Sequence, residues 1–451
     1  MRVKLNSHFN KGLLILIGSL VISCAGDGDA RWFQFHGDAH NTGFMNHLTV
    51  PATQTTIAWS RPIGSTGFSS PMIGADEIVF VSTVDGKVFG FNPDGALRYS
   101  VELGADLKLS SPTYGQDGMI YLTSLRYIAG TEPRQYKSAL HVLRPGLKLT
   151  LVKSFEFPEN TITTAPPKTY RYKNDIYIFS PGYSTLAASI LVFKNLSGII
   201  HNEKISCPGD VENHGDDTWK IILGVISGGL SALVPDLNPN NFEIDGIHLR
   251  EWTLDPTFAY LEDPEGSLVL VTPFNACGLQ AYQWSCESDQ LVLLWKKSGL
   301  DAVNYGSPGI KLNGETIIGD QDGNIISFHA RNGNYFRTLS LGESILSSPA
   351  ILPGGDIVIS GEKHVYLIES NSTFEKADKV FDLSSSTVAS PSASSNFIYA
   401  AHSNGIFTLD HALSGSFSTF STSIGGLSSP AISRTGVVYI NTANGDLVAF
   451  K

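Results

Sequence analysis

The feature that most constrains this chain is a repeat of about 41 residues that begins near residue 70. A Ser-Pro dipeptide recurs ahead of β-rich stretches, at Ser70-Pro71, Ser111-Pro112, Ser307-Pro308, Ser348-Pro349, Ser390-Pro391 and Ser429-Pro430. In the clearest units a glycine turn follows 14 or 15 residues after the proline, at Asp85-Gly86, Asp322-Gly323, Asn404-Gly405 and Asn444-Gly445. Such dipeptides supply the positive φ angles of tight hairpins. Each unit is therefore predicted to hold three or four antiparallel strands.

One such sheet cannot bury both of its faces, so neighbouring units must pack on one another. Strand-only units of ~40–50 residues are typical of a β-propeller, with a linear solenoid as the alternative. We count eight blades, with seven or nine as alternatives, because insertions blur the spacing between Pro166 and Pro308. The fold class predicted is all-β, a single propeller of four-stranded antiparallel sheets over residues 55–451. Polar excursions at 126–137, 207–218 and 235–250 are expected to be binding loops.

The two ends of the repeat region indicate how the ring closes. Thr56-Ile-Ala-Trp-Ser60 resembles the outer strand that ends a blade, yet it precedes the first Ser-Pro unit. The last unit stops after Leu447-Val-Ala-Phe450 and lacks an outer strand. We therefore expect the N-terminal strand to complete the last blade, which removes exposed sheet edges.

The first residues resemble a secretory signal. Basic side chains precede an apolar run over 13–22 that is too short to be a good spanning helix. The run ends in Val21-Ile22-Ser23-Cys24, which resembles the lipobox of bacterial lipoproteins. The resemblance implies that residues 1–23 are a lipoprotein signal peptide and that residues 24–54 form a lipidated N-terminal segment attached at Cys24. The alternative is an ordinary signal peptide that is cleaved nearby, in which case Cys24 is not lipidated.

Composition and cysteine content narrow the function classes. Lys plus Arg is 31 against Asp plus Glu at 42, a net charge of −11, which argues against nucleic acid as a partner. Beyond Cys24, an odd number of cysteines remains: Cys207, Cys277 and Cys286. Cys277 and Cys286 are a candidate disulfide only if loops or a bent neighbour bring them together, because nine extended residues would hold them apart.

Three polar clusters carry competing interpretations. Asp320-Gln-Asp322-Gly-Asn324 resembles the start of a calcium loop, but its glycine stands in the column of the hairpin turns, so a turn is favoured. Residues 212–217 bring Glu212, His214, Asp216 and Asp217 together in one insertion. This cluster is interpreted either as a cation-binding or acid/base group or as a solvated acidic loop. His36 and His40 are expected to serve turns or packing.

Trp32-Phe-Gln-Phe35-His-Gly-Asp38-Ala-His-Asn41-Thr-Gly43 resembles the opening motif of PQQ-like, quinoprotein-dehydrogenase-like β-propellers. The repeats, and Gly278-Leu-Gln-Ala-Tyr282 followed by Trp295, extend the resemblance over residues 31–451. The resemblance implies the propeller fold. It leaves function open, because this architecture hosts alcohol dehydrogenases, outer-membrane assembly lipoproteins of the BamB type and other binding proteins.

The chain departs from the enzymatic branch of that family. It has no adjacent cysteines for the vicinal disulfide beside the quinone, and no residues match the family's calcium ligands or catalytic Asp. We therefore predict no catalytic residues, no metal and no cofactor, with PQQ and calcium as the unsupported alternative.

The predicted function is a non-enzymatic, lipid-anchored scaffold or adaptor of the bacterial cell envelope, with BamB-like outer-membrane protein assembly as its concrete version. It is expected to be a monomeric outer-membrane lipoprotein, on the periplasmic face or the cell surface, that binds envelope proteins. A surface ligand-binding lipoprotein and a PQQ-dependent dehydrogenase are the alternatives.

Overall fold

Each Ser-Pro unit of the sequence becomes one antiparallel sheet in the computed structural model. The structure describes residues 32–46, 49, 56–64, 69–128, 135–159, 161–183, 187–206, 243–244, 247–248, 257–263, 266–274, 278–297, 306–320, 322–345, 347–371, 373–383, 387, 389–402, 405–411, 428–442 and 444–451. These residues form an eight-bladed β-propeller, which confirms the predicted fold class and the count of eight. Among them, no helix is long and apolar enough to cross a membrane.

Two strands, β1 Phe44–Met45 and β2 Ile57–Pro62, precede the first blade. Blade 1 holds β3 Met72–Ile73, β4 Val79–Ser82, β5 Lys87–Phe91 and β6 Leu97–Glu102, with a short 3₁₀ helix at Ala75–Glu77. Blade 2 holds β7 Leu107–Leu109, β8 Thr113–Tyr114, β9 Ile120–Ile128, β10 Gln135–Arg144 and β11 Thr150–Glu156. Blade 3 holds β12 Lys168–Tyr172, β13 Asp175–Tyr183, β14 Ala187–Lys194 and β15 Gly198–Ser206. A two-stranded ribbon follows, β16 Glu243–Ile244 and β17 Ile247–His248.

The second half of the ring is more regular. Blade 4 holds β18 Ala259–Glu262, β19 Ser267–Phe274, β20 Gly278–Ser285 and β21 Gln290–Lys297. Blade 5 holds β22 Gly309–Ile310, β23 Glu315–Gly319, β24 Asn324–His329 and β25 Tyr335–Ser340. Blade 6 holds β26 Ala350–Ile351, β27 Ile357–Ser360, β28 His364–Ile368 and β29 Lys379–Asp382. Blade 7 holds β30 Ser392–Ser394, β31 Phe397–His402 and β32 Gly405–Asp410, and blade 8 holds β33 Ala431–Ile432, β34 Val438–Asn441 and β35 Asp446–Phe450.

Strands within a blade are lettered A to D from the propeller axis outward, and this order defines two faces. The A–B face carries the turns that join A to B and C to D, such as residues 74–78 and 92–96 of blade 1. The B–C face carries the B–C turns, such as Thr83–Gly86, and the connections between blades. In blade 2 the expected loop at 126–137 is partly strand, because β9 and β10 extend into it as a longer hairpin.

The N-terminal strand closes the ring as predicted. Strand β2 pairs antiparallel with β35, with Ile57 opposite Phe450, and completes blade 8 as its outer strand. The first and last blades also meet through Glu77, which accepts a 2.6 Å hydrogen bond from Nε of Arg434. Strand β35 therefore has a neighbouring strand on each side, β34 and β2.

The Ser-Pro serines form a hydrogen-bonded belt between blades. The main-chain N–H of one unit's serine donates to the hydroxyl of the next unit's serine, from Ser70 to Ser111, Ser307 to Ser348, Ser348 to Ser390, Ser390 to Ser429 and Ser429 to Ser70. Thr257 of blade 4 donates in the same way to Ser307. The repeat thus encodes a contact between blades as well as the entry of each inner strand.

Outer strands lock onto the following blade through large side chains. Nε1 of Trp59 donates a 2.8 Å hydrogen bond to the carbonyl oxygen of Pro93, and Nε1 of Trp295 donates one of 2.7 Å to that of Ala330. Both acceptors lie in the C–D turn of the next blade. Between blades the side chains of the B strands are buried, as in β4 and β27.

Candidate functional site in the axial channel

Residues 32–46 form an axial segment that runs around the propeller axis. The inner strands of blades 1, 2, 4, 5, 6 and 7 each donate a main-chain N–H to a main-chain oxygen of this segment. The pairs, donor first, are Ile73 with Trp32, Tyr114 with Phe33, Tyr260 with Ala39, Ile310 with His40, Ile351 with Thr42 and Ala393 with Gly43, all at 2.7–3.0 Å. In blade 3 the N–H of Thr169 donates to Oε1 of Gln34 at 3.1 Å. The segment therefore contacts seven of the eight blades in chain order.

The axial segment lies in the half of the channel nearest the A–B face. Its strand β1 pairs in parallel with β30, the inner strand of blade 7, and so runs toward the A–B turn of that blade. Beyond β1, the N–H of Thr49 donates to Oδ1 of Asn396 in that same turn. The family-like opening motif thus fills one end of the channel.

Lys168 is the charged group at the centre of this packing. Its side chain is fully buried on β12, and Nζ donates to the main-chain oxygens of Phe35 at 3.0 Å and Asp38 at 2.9 Å and to Oδ1 of Asn41. Burial lowers the pKa of Lys168 to about 7, and the nearby Asp38 carboxylate opposes that shift. Three acceptors require three donors, so the ammonium form satisfies the site.

Asn41 fastens the segment to two further blades. Its backbone has a positive φ of 54°, and its Nδ2 donates to the carbonyl oxygens of Phe258 at 3.1 Å and Pro308 at 3.0 Å. Asparagine is among the residues that adopt this conformation with least strain. One side chain therefore bridges blades 4 and 5 while also accepting from Lys168.

His36 joins the segment to blade 7. Its Nδ1 lies 3.0 Å from the main-chain oxygen of Asn41 and its Nε2 lies 2.8 Å from that of Pro391. Burial lowers the pKa of His36, whereas the two carbonyl contacts raise it. His40 contributes its main-chain oxygen to Ile310. The contacts of the His36 side chain give it a packing role.

The other predicted site residues have separate positions. Asp320 to Asn324 form the B–C turn of blade 5, where Oδ1 of Asp320 accepts a 2.7 Å bond from the N–H of Asn324 and Gly323 has a φ of 83°. This is the hairpin that the repeat predicted. Cys24, Cys207 and residues 212–217 lie outside the described residues.

Cys286, one member of the predicted disulfide, directly follows strand β20. Cys286 is buried with a free thiol, and burial raises its pKa to about 12. Cys277 lies outside the described residues, so its pairing with Cys286 stays a prediction.

A quinone cofactor held by calcium requires hard oxygen ligands. Among the residues that the structure describes, no three His, Cys, Asp or Glu side chains converge to hold a metal ion. Asp38, the carboxylate of the axial segment, accepts from the main chain and the hydroxyl of Thr42. The carboxylate of Asp38 is thus engaged within the axial segment itself.

Solved structures share the propeller architecture at low sequence identity. BamB from Moraxella catarrhalis has a TM-score of 0.56 at 10% identity, covering 88% of this chain and 97% of that chain. A europium-containing methanol dehydrogenase has a TM-score of 0.62 at 9% identity, covering 94% and 98%. A quinohemoprotein alcohol dehydrogenase from Comamonas testosteroni has a TM-score of 0.58 at 11% identity, covering 94% and 81%.

No family model matches the sequence, and no curated protein matches it either. The structural likenesses show that this chain has a PQQ-like, BamB-like propeller architecture. Because the similar folds include BamB and alcohol dehydrogenases, the likeness shows the fold and does not define the activity.

Proposed function

We propose that this protein is a non-enzymatic, lipid-anchored scaffold or adaptor of the bacterial cell envelope. The observation that carries the proposal is the axial segment. It fills one end of the channel with the chain's own residues, and its buried polar groups Lys168, Asn41 and His36 are engaged in holding it. Partner binding is therefore assigned to the faces and rim of the propeller.

The B–C face supplies the longest insertion for such binding. Strand β15 ends at Ser206 and β18 begins at Ala259, and both of these ends lie at the B–C face. The chain between them includes both predicted loops, 207–218 and 235–250, and it leaves and rejoins the ring at that face. Long insertions on a rigid framework are where binding residues concentrate.

The most concrete version is a role in outer-membrane protein assembly with envelope proteins as partners. The similarity in architecture to BamB supports this version, and the lipobox-like Val21-Ile22-Ser23-Cys24 supports an outer-membrane anchor. The anchor is tested by metabolic labelling with an alkyne fatty acid. Label is expected on the unsubstituted protein and absent from Cys24→Ala, and equal labelling of the two would remove the anchor.

The dehydrogenase alternative is tested on the same purified protein. PQQ is titrated with calcium present, and alcohols and sugars are supplied with an artificial electron acceptor. The scaffold proposal predicts neither saturable PQQ binding nor turnover. Turnover that depends on PQQ would replace it with an enzymatic function.

A further inference from the structure

The exposed apolar side chains of the described residues have a one-sided distribution. All thirteen large ones lie either in turns of the A–B face or on outer strands. Most of those on outer strands lie within the first three residues, next to the A–B face. Among the described turns of the B–C face, none carries such a side chain.

Two leucines at turn tips stand out in this set. Leu147, in the C–D turn of blade 2, is fully exposed, and Leu312, in the A–B turn of blade 5, is 90% exposed. Because strands A and C of a propeller blade run in the same direction, both turns lie on the A–B face. Burying these two side chains against an apolar partner would be favourable.

Around Leu147 the apolar side chains alternate with basic ones. Leu97 and Leu151 are exposed on the adjoining outer strands, and Arg98 and Lys148 are exposed beside them. The patch is held in shape by the hydroxyl of Tyr99, which donates a 3.1 Å hydrogen bond to the oxygen of Gly146 across the two blades. Apolar tips with flanking Lys and Arg match the acyl and phosphate layers of a lipid interface.

The axial segment limits how far this face can lie from an anchor. Trp32 lies only eight positions after Cys24, and it is fixed to Ile73 in the half of the channel nearest the A–B face. Eight extended residues reach at most about 28 Å. A chain acylated at Cys24 therefore holds the propeller close against the bilayer.

We propose that the A–B face docks on the lipid surface, with Leu147 and Leu312 inserted at the level of the headgroups. This inference rests on the lipid anchor proposed above. Docking in this orientation directs the B–C face, with the insertion between blades 3 and 4, away from the membrane and toward protein partners.

The test uses the full acylated protein reconstituted in phosphatidylcholine vesicles that contain a photoreactive phosphatidylcholine. Peptide mass spectrometry locates lipid adducts after illumination. We expect adducts on the peptides that hold Leu147 and Leu312 to exceed those on the B–C turns at Asp85 and Asn444 about tenfold.

Variants distinguish insertion of the A–B face into the lipid surface from mere closeness of the tethered protein to the membrane. The double variant Leu147→Asp, Leu312→Asp is expected to lower adduct formation on the A–B face about tenfold, because charged tips do not enter the interface. Leu293→Asp, on the outer wall of blade 4, is the matched control and is expected to leave the adducts unchanged. Both variants alter exposed side chains, and thermal unfolding is the check that each remains folded.

The outcomes are distinguishable. Protein that carries acyl chains and floats with the vesicles, but shows equal adducts on both faces, overturns the docking inference and leaves the anchor standing. Protein without acyl chains at Cys24 that fails to float overturns the anchor and the docking with it.

Discussion

Nζ of Lys168, on the inner strand of blade 3, donates a 2.9 Å hydrogen bond to the main-chain oxygen of Asp38 in the axial segment. This contact places a buried ammonium against a turn of carbonyl oxygens on the propeller axis. The inner strand of blade 3 donates no main-chain hydrogen bond to a main-chain oxygen of the axial segment. The side chain of Lys168 fixes the segment to this blade instead. The sequence motif at the N-terminus and the third blade are therefore parts of one structure.

Replacing Lys168 tests how much that contact stabilises the fold. Lys168→Met removes the donor from three buried acceptors, so the free energy of unfolding is expected to fall by about 3 kcal/mol. Urea unfolding at pH 6 measures the change. Lys148→Met, at an exposed turn, is the control and should change stability by less than about 0.5 kcal/mol. Equal effects of the two substitutions would contradict the assigned role of Lys168.

The belt of serines makes a second prediction. Ser348→Ala leaves the buried N–H of Ser307 without its 2.8 Å acceptor. We expect a loss of about 1–3 kcal/mol in urea unfolding, the cost of an unsatisfied buried donor. Ser288→Ala, in an exposed turn, serves as the control. A neutral Ser348→Ala would show that the belt does not stabilise the ring.

The tryptophan contacts between blades depend on glycine in the facing turn. A Cβ at Gly95 would lie 2.7 Å from the ring of Trp59, and a Cβ at Gly333 would lie 2.7 Å from that of Trp295. Both glycines have positive φ, as does Gly342, around which no atom lies within 4 Å. Thermal unfolding should show Gly342→Ala losing about 1 kcal/mol and the other two alanine variants about 3 kcal/mol. Equal losses at all three positions would mean that backbone strain alone acts.

Stability should fall in mild acid because His141 is buried. Its ring nitrogens contact the hydroxyls of Ser124 and Ser154, and burial lowers its pKa to about 4. The unfolded chain then binds more protons than the folded one between about pH 6.5 and 4, so this stability is complete above pH 6.5 and declines below it.

The substitution His141→Gln isolates that contribution. Urea unfolding at several pH values between 4 and 6.5 should show a slope smaller by up to about 1.4 kcal/mol per pH unit, the effect of one proton. An unchanged slope would mean that His141 is not the titrating group.

Much of the fold follows from the repeat itself. The Ser-Pro spacing predicts the blades, the glycine turns predict the B–C hairpins, and the strand around Trp59 predicts the closure with Phe450. These features are local or periodic, so they are visible in the order of residues. The same periodicity distinguishes the hairpin turn at Asp322-Gly323 from the start of a calcium loop.

The site depends on contacts between distant residues, which no local pattern shows. The axial position of residues 32–46 follows from bonds to seven blades and could not be inferred from spacing. The sequence does hold one signal for this site. Lys168 is the first residue of the inner strand of blade 3, and it is charged. The inner strands of the other blades begin with uncharged residues: Met72, Thr113, Ala259, Gly309, Ala350, Ser392 and Ala431. The pairing of Cys277 with Cys286 stays a prediction, because Cys277 lies outside the described residues.

The central claim is tested most directly by a cross-linked pull-down of the acylated protein from bacterial membranes. Quantitative mass spectrometry would compare the recovered proteins with those from a Cys24→Ala strain. The account predicts enrichment of outer-membrane barrel-assembly proteins with the unsubstituted chain. Recovery of no envelope protein above the Cys24→Ala background would contradict it.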